Sequence, residues 1–216
     1  MATVTRPVTE WSSALLRNVS WEEYEAFLEW LGDRPGVKVN YDDGSMEIMA
    51  PLIRHDHEKT MFGRLFERLC EEFDQPTFSG GGVTMKKRIA AKGVEPDECY
   101  WLEHEPAMRG KRDLDLDYDP PPDLAIEIEN TASILKRLPI YAGIGVPEIW
   151  RWLDERIEVL LLGDGGQYHR SDTSRSFPDL PVDSFAHFIR RCYDVDELSL
   201  VKEFVAWVRD GMPPLA

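Results

Sequence analysis

Apolar and polar positions change period several times along the chain, and each change marks an element. "SWEE" at Ser20 to Glu23 reads as a capping box, with the Ser20 hydroxyl and the Glu23 carboxylate each satisfying a free first-turn amide, and predicts a helix to about Leu31. "VKVNYDDGSMEIM" alternates about Asp42-Asp43-Gly44, a hairpin signal. From His55 to Phe73 the period lengthens: Phe62, Leu65, Phe66, Leu69 and Phe73 recur at three- and four-residue steps, predicting an amphipathic helix. After the run Gly80-Gly81-Gly82, "VTMKKRIAAKG" predicts a strand ending in a turn. "GVEPDECYWLE" predicts a short strand opened by a proline, with Asp97 and Cys99 on one face and Glu98 and Tyr100 on the other. His104 to Pro122 is a polar, Asp- and Pro-rich connection, a loop or extended excursion. In "PPPDLAIEIENTAS", Leu124, Ile126 and Ile128 share one strand face and Ala125, Glu127 and Glu129 the other. A helix capped by Thr131 or Ser133 is expected through Tyr141, kinked or ended early by Pro139, with Gly143 and Gly145 as its exit. "PEIWRWL" and "RIEVLLL" are strands about a tight turn at Asp154, "GDGG" turns the chain into "QYHR", and "VDELSLVKEFVAWVRDG" predicts a helix stopped by glycine.

With 216 residues, 43% of them hydrophobic, the chain suits one compact domain with a full core. The expected division is an N-terminal arm over 1–19, the domain proper over 20–192, and a C-terminal helix over 193–216 packed on the same domain. No apolar stretch reaches the ~18–20 residues that span a bilayer, and "MATVTRPVTEWSSALL" lacks a basic segment followed by a long apolar one, so a cytoplasmic protein without membrane attachment is expected. Cys70, Cys99 and Cys192 are odd in number and widely spaced, which suits reduced thiols. The balance of 25 basic against 40 acidic residues, net −15, argues against indiscriminate adhesion to nucleic acid or anionic membrane. A nucleic-acid enzyme with this charge needs a local basic surface or metal ions to offset the field.

Against that background a few polar residues stand out. Glu58 falls on the backward extension of the apolar stripe, where it either complements the helix dipole or points to a site. Lys86, Lys87, Arg88 and Lys92 form the densest basic patch, either a solvated face or a surface for phosphates. Two carboxylates on one face of a central strand, Glu127 and Glu129, are costly unless paired, protonated or bound to a cation. Glu58, Asp97 and Glu127 come from different elements and could supply the hard oxygen donors that Mg²⁺ requires. His55 and His57 suit a solvated or capping role better than ligation, since imidazole favours zinc. Tyr141, Trp150 and Trp152 could stack on bases, but their spacing places them in the core.

"EPDECYWLEHE", "PPPDLAIEIENTAS" and "LPIYAGIGVPEIWRW" resemble, in order, the signature blocks of the Uma-type "putative restriction endonuclease" family, a bacterial branch of the PD-(D/E)XK nuclease superfamily. The similarity runs over roughly residues 20 to 190. It implies an α/β (α+β) fold of the restriction-endonuclease-like kind, a mixed sheet flanked by helices, and Mg²⁺-dependent cleavage of nucleic acid, with Mn²⁺ as a substitute metal. Pro96-Asp97 matches the family's "PD", making Asp97 the carboxylate between metal and scissile phosphate; Glu127 matches the (D/E) that begins the second half of the motif; and Glu58 matches the helix acid that often completes the metal shell.

The chain departs from the pattern at the motif lysine, where Glu129 stands on the same face as Glu127. Branches of the superfamily move the cation to the following helix. Here Arg137 lies four residues before Tyr141, a position commonly filled by lysine, with Lys136 beside it. Arginine stabilises charge but cannot act as a base. That leaves activation of the water to the metal or to Lys136, or leaves a chain that has lost activity. The first expectation is therefore a metal-dependent DNA endonuclease, with a two-fold homodimer as the simplest way to cut both strands. The competing readings are an inactive nuclease-fold module that binds a protein or nucleic acid, and a metal-dependent hydrolase of another acidic substrate.

Overall fold

The capping box forms as the sequence requires: the Glu23 amide donates to the Ser20 hydroxyl at 3.1 Å and the Ser20 amide to the Glu23 carboxylate at 2.7 Å. The computed structural model describes residues 13–32, 36–50, 53–129, 136–213 and 215. In chain order the strands are β1 (Ser13–Arg17), β2 (Lys38–Asp42), β3 (Ser45–Met49), β4 (Phe78–Ser79), β5 (Met85–Lys87), β6 (Lys92–Val94), β7 (Glu98–Trp101), β8 (Leu124–Ile128), β9 (Glu148–Leu153), β10 (Arg156–Leu162) and β11 (Tyr168–Ser171). The helices are α1 (Trp21–Leu31), α2 (Ile53–Glu72), α3 (Glu105–Met108), α4 (Arg137–Ile144), α5 (Val182–Arg190) and α6 (Glu197–Arg209).

The strands form two sheets. The first, ordered β1-β3-β2-β6-β5, is antiparallel throughout. The second, ordered β11-β10-β9-β8-β7-β4, is mixed, because α4 carries the chain from β8 back to a parallel β9. Every residue of β8 is buried, as its apolar character predicts for a central strand. On its Ile126 and Ile128 face lies α2, with Phe62 edge-on to Trp152 at 5.7 Å and Phe66 against Tyr100 at 4.3 Å. The same core extends to α5 and α6 through Phe185 and Phe204. On the opposite face α4 brings Ile140, Tyr141 and Ile144 against Ala125, Ile149 and, from the first sheet, Met85 and Val94. Trp150, Trp152 and Tyr141 are core, as their spacing indicates. The first sheet is covered by α1, whose Tyr24 lies so close over β6 that a Cβ on Gly93 would come within 2.2 Å of its hydroxyl.

Several elements differ from the sequence reading. Residues 13–17 of the expected arm form the edge strand β1. "VTMKKRIAAKG" is a hairpin, β5 and β6, around a short 3₁₀ turn with Ala91 in the left-handed region. The polar connection contains α3, and a further helix, α5, buries Val182, Phe185, Ala186 and Ile189 at three- and four-residue steps, an apolar stripe that the sequence reading passed over. Pro139 does not kink its helix: α4 starts at Arg137, so the proline falls in the first turn, where no intrahelical amide partner is lost. Thr131 and Ser133, the expected caps, lie outside the described residues. At the C-terminal end α6 packs along α2, and Arg209 pairs with Glu72 through two bonds of 2.8 Å. No described helix is long and apolar enough to cross a membrane.

Candidate active site

Pro96 has no amide hydrogen with which to continue the β7–β8 ladder past the Glu98–Ile126 pair. The side chain that follows it does the work instead. Asp97 Oδ2 accepts the Ile128 amide at 2.7 Å, and the Pro96 carbonyl accepts from Lys38 Nζ at 3.2 Å. The same ammonium ion-pairs with Asp97 Oδ1, which also lies 2.9 Å from His55 Nε2. Asp97 is fully buried and is thus fixed by β8, by β2 of the other sheet and by the first turns of α2.

Glu127 sits one strand over on β8, buried to 2% exposure and pointing toward α4. Its carboxylate accepts from the Tyr141 hydroxyl and pairs with Arg137, residues one helical turn apart. Arg137 is itself buried, and its Nε has no acceptor among the described residues. Burial disfavours charge on both carboxylates. For Asp97 this is more than reversed by the Lys38 charge and the His55 contact, so its carboxyl is held well below the usual range. For Glu127 burial prevails over the Arg137 charge, and the neighbouring Asp97 adds to it, raising the group to about 7. For Arg137 burial pulls down, but Glu127 and Asp97 hold the guanidinium firmly charged.

A carboxyl raised from 4.5 to about 7 contributes stability that is present below its ordinary value and is lost as pH rises through that window. Glu127→Gln should therefore remove a decline in stability between about pH 4.5 and 7 of roughly 3 kcal/mol. Asp97, shifted the opposite way, contributes in full above its ordinary value and loses that contribution progressively as pH falls below it, so it is constant across this window. Melting curves of both proteins across that window check this, and parallel pH profiles would contradict it.

The structure brings Asp97 and Glu127 together and places the other sequence candidates around or away from them. Glu58 is buried on α2, the helix of the Ile126 and Ile128 face, and pairs with Arg54 at 3.0 Å. Its charge acts on Cys192 and Tyr193. Among the described residues no three His, Cys, Asp or Glu side chains converge closely enough to hold a metal ion, so the Glu58–Asp97–Glu127 trio is not assembled as such. Glu129 follows β8 with its amide on the Trp152 carbonyl at 2.8 Å and its carboxylate 3.7 Å from Arg151. Lys136 is exposed at the start of α4, and with Glu129, Arg137 and Arg151 it borders a cavity of about 690 Å³.

The basic patch is engaged internally. Lys86 pairs with Glu25 at 3.0 Å and Arg88 with Glu22 and Glu25, Lys92 pairs with Asp42, and Lys87 donates to the Ile144 carbonyl at 3.1 Å. His57 packs on Tyr193 and contacts the Cys192 carbonyl. The three cysteines are free and buried, with burial pushing Cys70 and Cys192 up to about 11. Lys38, His55 and Tyr141 are the site residues that sequence reasoning missed or assigned elsewhere.

None of the curated proteins matches the sequence. A similar solved structure is described as a putative nuclease belonging to DUF820 from Anabaena variabilis; it is 15% identical, with 82% of this chain and 97% of that one covered at a TM-score of 0.48. The family pattern described as "Putative restriction endonuclease", Uma2, matches residues 21–190, which include both carboxylates and all their partners named above. The chain belongs to the Uma2 family.

Proposed function

We propose that the chain is a Mg²⁺-dependent endonuclease that hydrolyses DNA phosphodiester bonds, with Mn²⁺ as a working substitute and a two-fold dimer as the acting form. The observation that carries this reading is the pair of buried carboxylates, Asp97 and Glu127, on neighbouring strands of the mixed sheet. Mg²⁺ is commonly held by one or two carboxylates together with water and substrate phosphate, so this pair is a sufficient protein donor set. Bound there, the metal would neutralise charge developing on the phosphate and lower the cost of deprotonating a water.

The protein's own groups have separable tasks. The Ile128 amide and Lys38 fix Asp97, while Tyr141 and Arg137 fix Glu127. Arg137 stays protonated and serves as a charge-stabilising donor rather than a base. Lys86, Lys87, Arg88 and Lys92 would contact the DNA backbone by exchanging their present carboxylate and carbonyl partners for phosphates, which makes binding strongly salt-dependent.

One observation favours the second reading, an inactive module that binds a protein or nucleic-acid partner: each carboxylate already has its own cation, and position 129 holds a carboxylate. Calorimetric titration with Mn²⁺ and a supercoiled-plasmid nicking assay separate the two. Metal binding at millimolar or lower concentration with metal-dependent nicking is expected. Absence of both would favour the module.

A further inference from the structure

Position 129 leaves the site without a lysine on the Glu127 strand, yet an ammonium is present from another direction. Lys38 belongs to β2 of the first sheet and reaches across to the second, where Nζ contacts Asp97 Oδ1 and the Pro96 carbonyl. Its side chain is 12% exposed and Asp97 is wholly buried, so the contact is part of the interior rather than a surface pair. Lys38 is the one lysine that touches either carboxylate among the described residues, and its charge acts on Glu127 as well. Asp97 does not depend on it for placement alone, since the Ile128 amide and His55 hold the same carboxylate.

We propose that Lys38 stands in for the missing motif lysine: it holds Asp97 in the resting protein and donates to a non-bridging oxygen of the scissile phosphate once substrate and metal engage Asp97. This rests on the endonuclease reading above. Arg137 approaches from α4 on the Glu127 side, so the two cations would flank the phosphate, one from β2 and one from α4. Lys38 occupies an Asp97 lone pair and would compete with a metal for it.

Two substitutions test the role. Lys38→Met removes both the charge and the donor, whereas Lys38→Gln keeps an N–H that can hold Asp97 in place without the charge. Both should bind Mn²⁺ at least as tightly as the wild type by calorimetry, because the competing positive charge has gone. Both should nick plasmid about 10²–10³-fold more slowly, the loss typical of one charge-stabilising donor. Adding Glu129→Lys to Lys38→Gln should recover part of the rate by supplying an ammonium on the Glu127 face. Nicking at the wild-type rate in a folded Lys38→Gln protein would overturn the inference and leave the endonuclease reading standing, as would loss of Mn²⁺ binding in step with nicking. If Lys38→Met melts below the assay temperature, Lys38→Gln alone decides. A wild-type chain that neither binds Mn²⁺ nor nicks overturns both.

Discussion

Arg137→Ala should destabilise the protein by about 3–5 kcal/mol at pH 8, because it strands a buried carboxylate without its partner. The guanidinium is 8% exposed and sits at the first residue of α4, where it neutralises Glu127 and also acts on Asp97. Without it two buried carboxylates face each other with Lys38 as the remaining cation in contact. The penalty has an outlet. Glu127 is already raised to about 7 with the Arg137 charge opposing that rise, so in the variant it moves higher still, takes up a proton as pH falls from 8 and sheds part of the cost. Urea melts at pH 8 and pH 5 should show the deficit shrinking on acidification, and Arg137→Lys should recover a large share of it at pH 8. A deficit under about 1 kcal/mol at pH 8 would mean the ion pair is not what keeps these carboxylates buried.

What was legible in the sequence follows from the range of the interactions involved. The capping box, the turn at Asp42-Asp43-Gly44 and the alternation through β8 are set by residues a few positions apart, and all three appear as read. Asp97 and Glu127 were legible because a proline marks one strand opening and a period of two fixes the other's faces. The tie from Glu127 to Arg137 spans only one strand-to-helix connection and was also within reach.

Contacts between sheets were not. The alternation in β2 separates Lys38 and Asn40 from Val39 and Tyr41, but nothing local says that the first face meets β7 of another sheet. His55 looked like a cap for the same reason: its partner, Asp97, lies on an element that only tertiary packing brings near. Glu58 was correctly placed on the inward stripe of α2, yet the stripe does not reveal which face of β8 it covers. The ion pairs of the basic patch are not legible for the same reason, since its acidic partners Glu22 and Glu25 come from α1, far away in sequence. Pro139 suggests a kink or an early end because the residues before it do not fix where α4 starts.

Asp97→Asn should abolish plasmid nicking, with a loss of at least about 10²–10³-fold, while the protein stays folded. The amide oxygen can still accept the Ile128 N–H, so the β7–β8 junction keeps its bond, and repulsion with Glu127 disappears. Against this, Lys38 and His55 lose a charged acceptor, which costs about 1–3 kcal/mol as an unmet hydrogen-bonding demand. Asp97→Ala is the harsher change, because it removes the acceptor altogether and leaves a nearly buried ammonium uncompensated, at about 3–5 kcal/mol. Comparing the two separates chemistry from folding: both should lose nicking, but only the alanine variant should lose much of its thermal stability. Mn²⁺ affinity should fall in Asp97→Asn, since a neutral amide is a poor replacement for a carboxylate donor. A folded Asp97→Asn protein that nicks at the wild-type rate would place the hydrolytic centre elsewhere in the chain.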